Sequence, residues 1–190
     1  YERQMIWKRR FIDKIQAPWT DDPIFQENKF PNLYRELDRS SWWRISNIIM
    51  DDSLSLKNKV WKCIVYRLFN SPDFFEFLAS VTDWKGGIPD YEKFKEQQPK
   101  FITIAKTLQN MGAKPFTDAY IISSSFAAKT GKNRAEAYAD NALSELWGAI
   151  DIIIDTVLIA ESTRDIIDVL SAIPGVQKFI ANELMQDMIY

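Results

Sequence analysis

The stretch NKFPNLYRELDRSSWWR, residues 28–44, decides how this chain is interpreted. It begins with a turn at Pro31 and continues as a predicted helix. Residues three, four and seven apart lie on the same side of a helix. One side collects chemically versatile groups: Arg35, Asp38, Arg39 and Trp42. The adjacent side is apolar enough to face a core: Leu33, Tyr34, Leu37, Ser41, Ile45 and Ile48.

Two interpretations of the polar side stay open. Two guanidinium groups, a carboxylate and an indole are costly to bury without partners. The cluster is therefore either a structural ion-pair network or a site for a phosphorylated ligand. The pattern alone favours the structural interpretation, because ion-pair networks are common in helical proteins.

Composition sets the limits on function. The chain has 190 residues, so we expect one domain spanning residues 1–190. Apolar residues make up 46% and aromatic residues 14%, which is typical of a globular protein. A net charge of −2 argues against indiscriminate electrostatic binding to nucleic acid. The absence of histidine excludes imidazole chemistry and most zinc sites.

The single cysteine and the lack of a long apolar run bear on location. Cys63 cannot form an internal disulfide, which favours a reducing setting. No apolar run reaches the ~18 residues that a membrane span needs. We therefore expect a cytoplasmic protein, in the host cytoplasm if a phage encodes it. The first residue is Tyr1 and not Met, so we expect a segment excised from a longer chain.

The N-terminal segment carries the densest basic patch. Residues 2–15 are predicted to form a helix whose polar side holds Lys8, Arg9, Arg10 and Lys14. This side is either a solvated face or a phosphate contact, for which arginine forks are well suited. The connector that follows is rich in turn formers, and Thr20 or Asp21 is predicted to cap the next helix.

Further helices are predicted at 56–70, 74–79, 91–110 with an interruption near Pro99, 119–128 and 134–160. The helix at 134–160 is predicted to be the central core helix. Asp151 and Asp155 lie one turn apart on it and either bind a cation or mark its wet edge. No strand pattern is persuasive, so the fold class is all-α, an irregular bundle of roughly eight to ten helices. The P-loop spacing is absent.

The C-terminal stretch, residues 164–188, resembles a helix-hairpin-helix element. Two predicted helices flank Ile173-Pro174-Gly175-Val176. In such elements hairpin amides and the next helix N-terminus hold a DNA phosphate, which here would involve Gly175 and Lys178. Gln177 replaces the usual second glycine, and close packing of the two helices is the competing interpretation.

Several sequence blocks together resemble a known family. In chain order they are RRF at 9–11, PWTDDP at 18–23, KF at 29–30, NLYRELDR at 32–39, YRLFN at 66–70, FTDAYII at 116–122 and IPGV at 173–176. The chain resembles the helical domain of the α-glutamyl/putrescinyl-thymine pyrophosphorylase group, which also occurs in 5-hydroxymethyluridine DNA kinases. That group is similar in fold to helix-hairpin-helix DNA glycosylases.

The resemblance implies hypermodification of thymine in DNA. A phosphorylated 5-hydroxymethyl-uracil would lose pyrophosphate while an amine or amino acid takes its place, which predicts a transferase acting on modified bases. The expected partner is DNA carrying modified thymine, together with a kinase domain or another enzyme of the pathway. The cofactor stays unknown, with a divalent cation open.

Residue types suggest roles in that chemistry. Displacing pyrophosphate requires positive charge on the leaving group, and an incoming amine must lose a proton. The expected catalytic residues are Asp38, Arg35 and Arg39. The expected phosphate or DNA contacts are Arg9, Arg10, Lys29, Asn32, Gly175 and Lys178. A modified base must leave the duplex stack, and the expected stacking residues are Trp19 and Trp42.

Two other functions stay open. The chain could be a non-catalytic DNA-binding domain of a 5-hydroxymethyluridine DNA kinase, or a helical protein-interaction scaffold. Asp187 lies nearer to the hairpin than the catalytic aspartate of glycosylase relatives, so we do not expect it to take that role.

Overall fold

The computed structural model describes residues 1–28, 38–116, 131–132, 134–173 and 176–188. These residues form helices and turns with no strand among them, so the predicted all-α class is confirmed. In chain order, the helices are α1 (Glu2–Trp7), α2 (Pro23–Glu27), α3 (Arg39–Arg44), α4 (Leu56–Phe69), α5 (Pro72–Val81), α6 (Phe94–Asn110), α7 (Arg134–Ala137), α8 (Leu143–Ile159), α9 (Thr163–Ser171) and α10 (Lys178–Met188). None of these helices has the length and apolarity needed to cross a membrane.

Wider and tighter helical turns extend several of these helices. α1, α3 and α7 continue as π-helical turns at Lys8–Ile12, Ile45–Ile49 and Tyr138–Ala142. Short 3₁₀ turns lie at Lys85–Gly87 and Tyr91–Lys93. The chain divides into two compact units, which are residues Tyr1–Trp43 and Arg44–Tyr190. The single domain expected from the sequence stays a prediction.

α4 is the centre of the second unit. Ser55 caps its N-terminus by accepting from the Asn58 amide, and Asn70 ends it in the left-handed conformation. Every residue from 60 to 70 is buried, including the charged Lys62 and Arg67. α4 packs against α8 and α10 and against the turns at Ile45–Ile49 and Tyr91–Lys93, and these contacts contribute to its burial.

The expectation that the 134–160 segment is the central core helix is wrong in its C-terminal half. Leu143, Leu146, Ile150 and Ile153 are buried, whereas Leu158 and Ile159 are 67% and 78% exposed. Nearly continuous apolarity made the whole segment look central. Other elements pack against only part of this segment. The spacing of apolar residues along a helix does not show how much of the helix its neighbours will cover.

A cluster of aromatic rings joins α4 to α5 and α6. Phe69 stacks on Phe74 and Phe116, with ring centroids 5.4 Å and 4.8 Å apart. The Phe101 ring meets Phe69 edge-on at 5.4 Å. These rings are buried, so their role is to fill the core.

The buried Lys62 fixes the turn after α5. Its ammonium donates to the carbonyls of Lys85 and Ile88 at 3.0 Å and 2.6 Å and pairs with Asp90 at 2.9 Å. Burial lowers the pKa of Lys62, and the hydrogen bond to Asp90 opposes that shift. Gly87 has φ of 68°, and a Cβ there would collide with the Phe75 carbonyl oxygen. The two-glycine turn is therefore a packed structural element.

Two boundary predictions need correction. Asp22, and not Thr20 or Asp21, caps α2, because its carboxylate accepts from the Ile24 amide at 2.8 Å. α6 runs unbroken through Pro99, and the change of geometry comes earlier, between the 3₁₀ turn and Phe94. The predicted helix at 119–128 lies outside the described residues.

Candidate functional site

Four aromatic residues and one arginine form a connected surface in the first unit. We call it the N-terminal ledge: Trp7, Arg10, Phe11, Trp19 and Trp42. The Arg10 guanidinium carbon lies 4.8 Å from the Phe11 ring centroid and 4.9 Å from that of Trp19. Trp7 contacts Phe11 at 5.5 Å and Trp42 edge-on at 6.2 Å. The structure thus brings three predicted site residues, Arg10, Trp19 and Trp42, onto one surface.

Local structure positions the ledge. Arg10 and Phe11 lie in the π-helical turn that follows α1, and such turns are frequent at functional sites. Trp19 is oriented by its indole N–H, which donates to the Ile15 carbonyl at 2.8 Å. Arg10 is exposed, and no carboxylate of the described residues lies within ion-pair distance of it. Its charge is therefore available to a ligand.

Arg9 has a different environment from Arg10. Its guanidinium donates to the Trp19 carbonyl at 2.5 Å and pairs with Glu2 at 3.4 Å. Lys8 pairs with Asp13 at 2.6 Å. The basic patch is therefore not uniform, since internal partners engage Arg9 and Lys8. Their neutralisation favours a structural role for both, and the phosphate contact of Arg9 stays a prediction.

The predicted catalytic helix is only partly described. Asp38 immediately precedes α3, and Arg39 begins it. The Trp42 amide donates to the Asp38 carbonyl at 2.8 Å, so these two residues lie one turn apart. Asp38 and Arg39 are exposed, and the Trp42 side chain is 54% exposed. Lys29, Asn32 and Arg35 lie outside the described residues.

The predicted apolar side of that helix is supported where it is described. Ser41 and Ile48 are buried, and Ile45 is half-buried. Leu33, Tyr34 and Leu37 lie outside the described residues.

A buried group of four charges lies in the second unit, and sequence reasoning missed it. We call it the buried charge cluster: Arg44, Arg67, Glu183 and Asp187. Asp187 accepts from Arg67 Nε and Nη2 at 2.5 Å and 2.6 Å, and Arg44 Nη1 lies 2.7 Å from Asp187 Oδ1. Glu183 pairs with Arg67 Nη1 at 3.4 Å. Burial, followed by the charge of Arg67, lowers the pKa of Arg44, while Asp187 raises it.

Among the described residues, this buried charge cluster contains two cations and two anions. It ties α4 to α10 and to the last residue of α3, so its role is structural. The signal in the sequence was Arg67 within an otherwise apolar helical run, together with Glu183 and Asp187 one turn apart. Arg44 and Arg67 both pair with Asp187, and the expectation that Asp187 is not a catalytic acid stays a prediction.

Cys63 lies against the buried charge cluster and is chemically inert. The thiol is buried, and desolvation raises its pKa to about 12. A thiol that stays protonated at neutral pH is a poor nucleophile and a poor metal ligand.

The predicted cation pair does not become a metal site within the described part of the chain. Asp151 is 71% exposed and pairs with Lys57 at 2.7 Å, as expected of the wet edge of a helix. The described residues contain no group of three or more potential metal ligands.

The C-terminal hairpin is described only at its edges. The Val176 amide donates to the Ile173 carbonyl at 3.0 Å, and α9 packs against α10. Lys178 is exposed at the first position of α10. Gly175 lies outside the described residues, so the helix-hairpin-helix element and the likeness to DNA glycosylases stay predictions.

A family model and a curated relative that match this chain are both described as 5-hmdU DNA kinases. A family model described as "5-hmdU DNA kinase, helical domain" matches residues 1–190. A curated relative, the 5-hmdU DNA kinase of Bacillus phage SP10, is 30% identical over 194 residues. That alignment covers 98% of this chain and 29% of the relative, so the chain spans under a third of the relative's length. No solved structure matches.

The fold and the site define an all-α domain with an exposed arginine–indole surface in its first unit and a charge-stabilised helical core in its second. The chain belongs to the family of 5-hmdU DNA kinase helical domains. This confirms the family resemblance inferred from the sequence.

Proposed function

We propose that this chain is a DNA-binding helical domain that receives 5-hydroxymethyl-uracil in DNA and presents it to a kinase domain or another enzyme of the same pathway. The observation that carries the proposal is the position of the Arg10 guanidinium, within 5 Å of two aromatic rings. Family membership supports the choice of nucleic acid, because the relative is named for a DNA substrate.

The ledge has the components that an unstacked base requires. A base that leaves the duplex loses stacking worth a few kcal/mol. Stacking on an aromatic side chain returns about 1–3 kcal/mol per base. Trp42 offers an exposed indole, and Arg10 offers a charge for the neighbouring phosphate. Trp19 holds the guanidinium in place, so it contributes orientation as well as surface.

A matched pair of variants tests this proposal. Lys8 lies in the same π-helical turn as Arg10 but is paired with Asp13. We expect Arg10→Gln to weaken binding to a duplex with one 5-hydroxymethyl-uracil about tenfold, or 1.4 kcal/mol. We expect Lys8→Gln to change it less than about twofold, because an internal carboxylate already compensates that charge.

Fluorescence anisotropy at fixed salt would measure both affinities. Equal losses in the two variants would indicate unspecific charge attraction and contradict the proposal. The absence of any binding by the wild-type chain would favour the protein-interaction scaffold.

A second proposal is catalytic and rests on the exposed turn that carries Asp38, Arg39 and Trp42. An amine would form a C–N bond at the methylene carbon as the C–O bond to pyrophosphate breaks. Asp38 would accept the amine proton, and Arg39, with Arg35, would stabilise the departing charge. The same turn would hold the base against Trp42.

Pyrophosphate release separates the two proposals. The chain is incubated with DNA in which the 5-hydroxymethyl oxygen of uracil carries a pyrophosphoryl group, together with an amine such as putrescine or glutamate. Release that is lost in both Asp38→Asn and Arg39→Gln, with helicity retained, would support catalysis. Binding without release would support the presenting domain alone.

A further inference from the structure

The second unit carries a partly exposed aromatic pair flanked by lysines, at the edge of the core where Tyr91 contacts the buried Trp61. Tyr91 and Trp147 stack with ring centroids 5.2 Å apart and planes 18° from parallel. Each binds the backbone of the other, since the Trp147 indole N–H donates to the Tyr91 carbonyl at 2.9 Å and the Tyr91 hydroxyl donates to the Trp147 carbonyl at 3.3 Å. The two rings are thus fixed in place before any ligand arrives.

Two ammonium groups lie over these rings. Lys57 Nζ is 4.2 Å from the Tyr91 centroid, and Lys95 Nζ is 5.1 Å from the Trp147 centroid. We call the four residues, Lys57, Tyr91, Lys95 and Trp147, the lysine–aromatic platform. Lys57 lies in α4, Tyr91 in the 3₁₀ turn at Tyr91–Lys93, Lys95 in α6 and Trp147 in α8. Tertiary packing therefore assembles the platform from separate elements.

The platform differs from the aromatic core in two respects. Tyr91 and Trp147 are half-buried, whereas Phe69 and Phe101 of the core cluster are completely buried. Lys95 is exposed, and no carboxylate of the described residues lies within ion-pair distance of it. Partly exposed rings beside an uncompensated cation are suited to a ligand with flat faces and negative charge.

We propose that the lysine–aromatic platform binds a single-stranded stretch of DNA, in which the two ammonium groups move from the ring faces onto flanking phosphates and a base takes a ring face that one of them leaves. The proposal uses only residues of the second unit, and it goes beyond the proposed function, which uses the first. Single-stranded DNA fits because every base has a π-face and every nucleotide brings a charge. The strand opposite an extruded base, or DNA beside it, would supply such a stretch.

One carboxylate opposes this role and provides a sharp test. Asp151 Oδ1 lies 2.7 Å from Lys57 Nζ, and its side chain is 71% exposed. An incoming phosphate must compete with Asp151 for Lys57 and is repelled by it. The platform therefore predicts that removing this negative charge strengthens binding, the opposite of what loss of a stabilising ion pair would do.

The experiment uses the full chain, a 5′-fluorescein-labelled 12-mer of thymidine nucleotides and anisotropy over a series of KCl concentrations. The variants are Lys57→Gln with Lys95→Gln, and Asp151→Asn alone. Lys106→Gln is the control, since Lys106 pairs with Glu136 at 3.0 Å, as Lys57 does with Asp151, but does not belong to the platform. Thermal unfolding followed by circular dichroism reports on the fold of each variant.

We expect the double variant to reduce the slope of log K against log salt by about 0.7–1.4, because each phosphate contact on a single strand contributes about 0.7 and Lys57 must leave Asp151 to make its contact. We expect Asp151→Asn to tighten binding about two- to fivefold and Lys106→Gln to leave the slope unchanged. A lowered melting temperature with an unchanged slope would show that the platform is only structural and overturn the proposal. Weaker or unchanged binding by Asp151→Asn would overturn it as well.

The outcome is separable from that of the proposed function. Arg10→Gln tests the ledge with duplex carrying the modified base, whereas the lysine variants are tested with unmodified single strands. Loss of binding in the lysine variants, with Arg10→Gln unaffected on the duplex, would refute the ledge and retain the platform. The reverse result would refute the platform and retain the ledge.

Discussion

Arg67 in the second unit and Arg10 in the first are chemically identical side chains with opposite surroundings. Arg67 is buried and receives two carboxylates, Asp187 at 2.5 Å and Glu183 at 3.4 Å. Arg10 is exposed and lies over two aromatic rings, with no carboxylate of the described chain in ion-pair range. The charge of Arg67 is neutralised inside the fold, whereas the charge of Arg10 lies at the surface.

The contrast shows how to separate structural from ligand-binding charges in this protein. A buried charge is tolerated only when it is paired and hydrogen-bonded, so its partners reveal a structural role. An aromatic face attracts a cation without neutralising it, so a stacked guanidinium keeps its charge for an anion. Arg9 is intermediate between the two cases, because it pairs with Glu2 at 3.4 Å but is only half-buried, and its phosphate contact stays a prediction.

The largest predicted effect comes from breaking the buried charge cluster. Asp187→Asn would remove the carboxylate that two buried arginines, Arg44 and Arg67, share. We expect a loss of about 3–5 kcal/mol in the free energy of unfolding, measured by urea denaturation. Asp168→Asn is the control, because that carboxylate is 65% exposed and 3.9 Å from Arg164. Equal, small losses in both variants would show that Asp187 is not the structural anchor.

An intermediate effect is expected from Cys63 at alkaline pH. Its pKa is raised from 9.0 to about 12 in the folded chain, so below pH 9 the thiol is protonated in both states. Above pH 9 only the unfolded chain ionises, and stability falls as pH rises towards 12. Between neutral pH and pH 10 we expect wild type to lose about 1.4 kcal/mol more stability than Cys63→Ala. Parallel pH profiles for the two proteins would contradict the raised pKa.

The smallest predicted effect on stability is at the ledge. Arg10→Gln removes contacts with two rings at an exposed position, for which we expect a loss of about 0.5–1 kcal/mol in unfolding free energy. Chemical denaturation beside Lys8→Gln would measure it, and the exposed Lys8–Asp13 pair should contribute under about 1 kcal/mol. A loss above about 3 kcal/mol for Arg10→Gln would show that Arg10 is a structural charge like Arg67, and the difference between the two arginines would not hold.

Helices could be predicted where the capping residues at their ends agree with the helical spacing of their apolar residues. α4 was expected at 56–70 and is found at Leu56–Phe69, between the Ser55 cap and the left-handed Asn70. Agreement was poorer where two capping residues compete. Thr20 and Asp22 both have side chains that could cap α2, and Asp22 does so while the Thr20 hydroxyl accepts from the Asp22 amide. Local sequence cannot rank such neighbours, because a small difference in backbone geometry decides between them.

The roles of the predicted site residues stay predictions, although the structure shows where several of them lie. Arg10, Trp19 and Trp42 were singled out from residue type, and the structure places them on one connected surface. The buried charge cluster was not foreseen, because its members are up to 143 positions apart and only packing joins Arg44 to Asp187. The lysine–aromatic platform was missed for the same reason, since Tyr91 and Trp147 belong to separate elements.

The sequence by itself determined that this chain is helical, that it lacks imidazole chemistry, and which family it belongs to. These properties follow from composition, periodicity and short blocks of neighbouring residues. Only the tertiary structure decided which charges are neutralised and which are presented, since ion pairing and burial depend on the distance between residues remote in the chain. Arg44 and Arg10 are both arginines near helix ends, and their difference lies entirely in what the fold brings beside them.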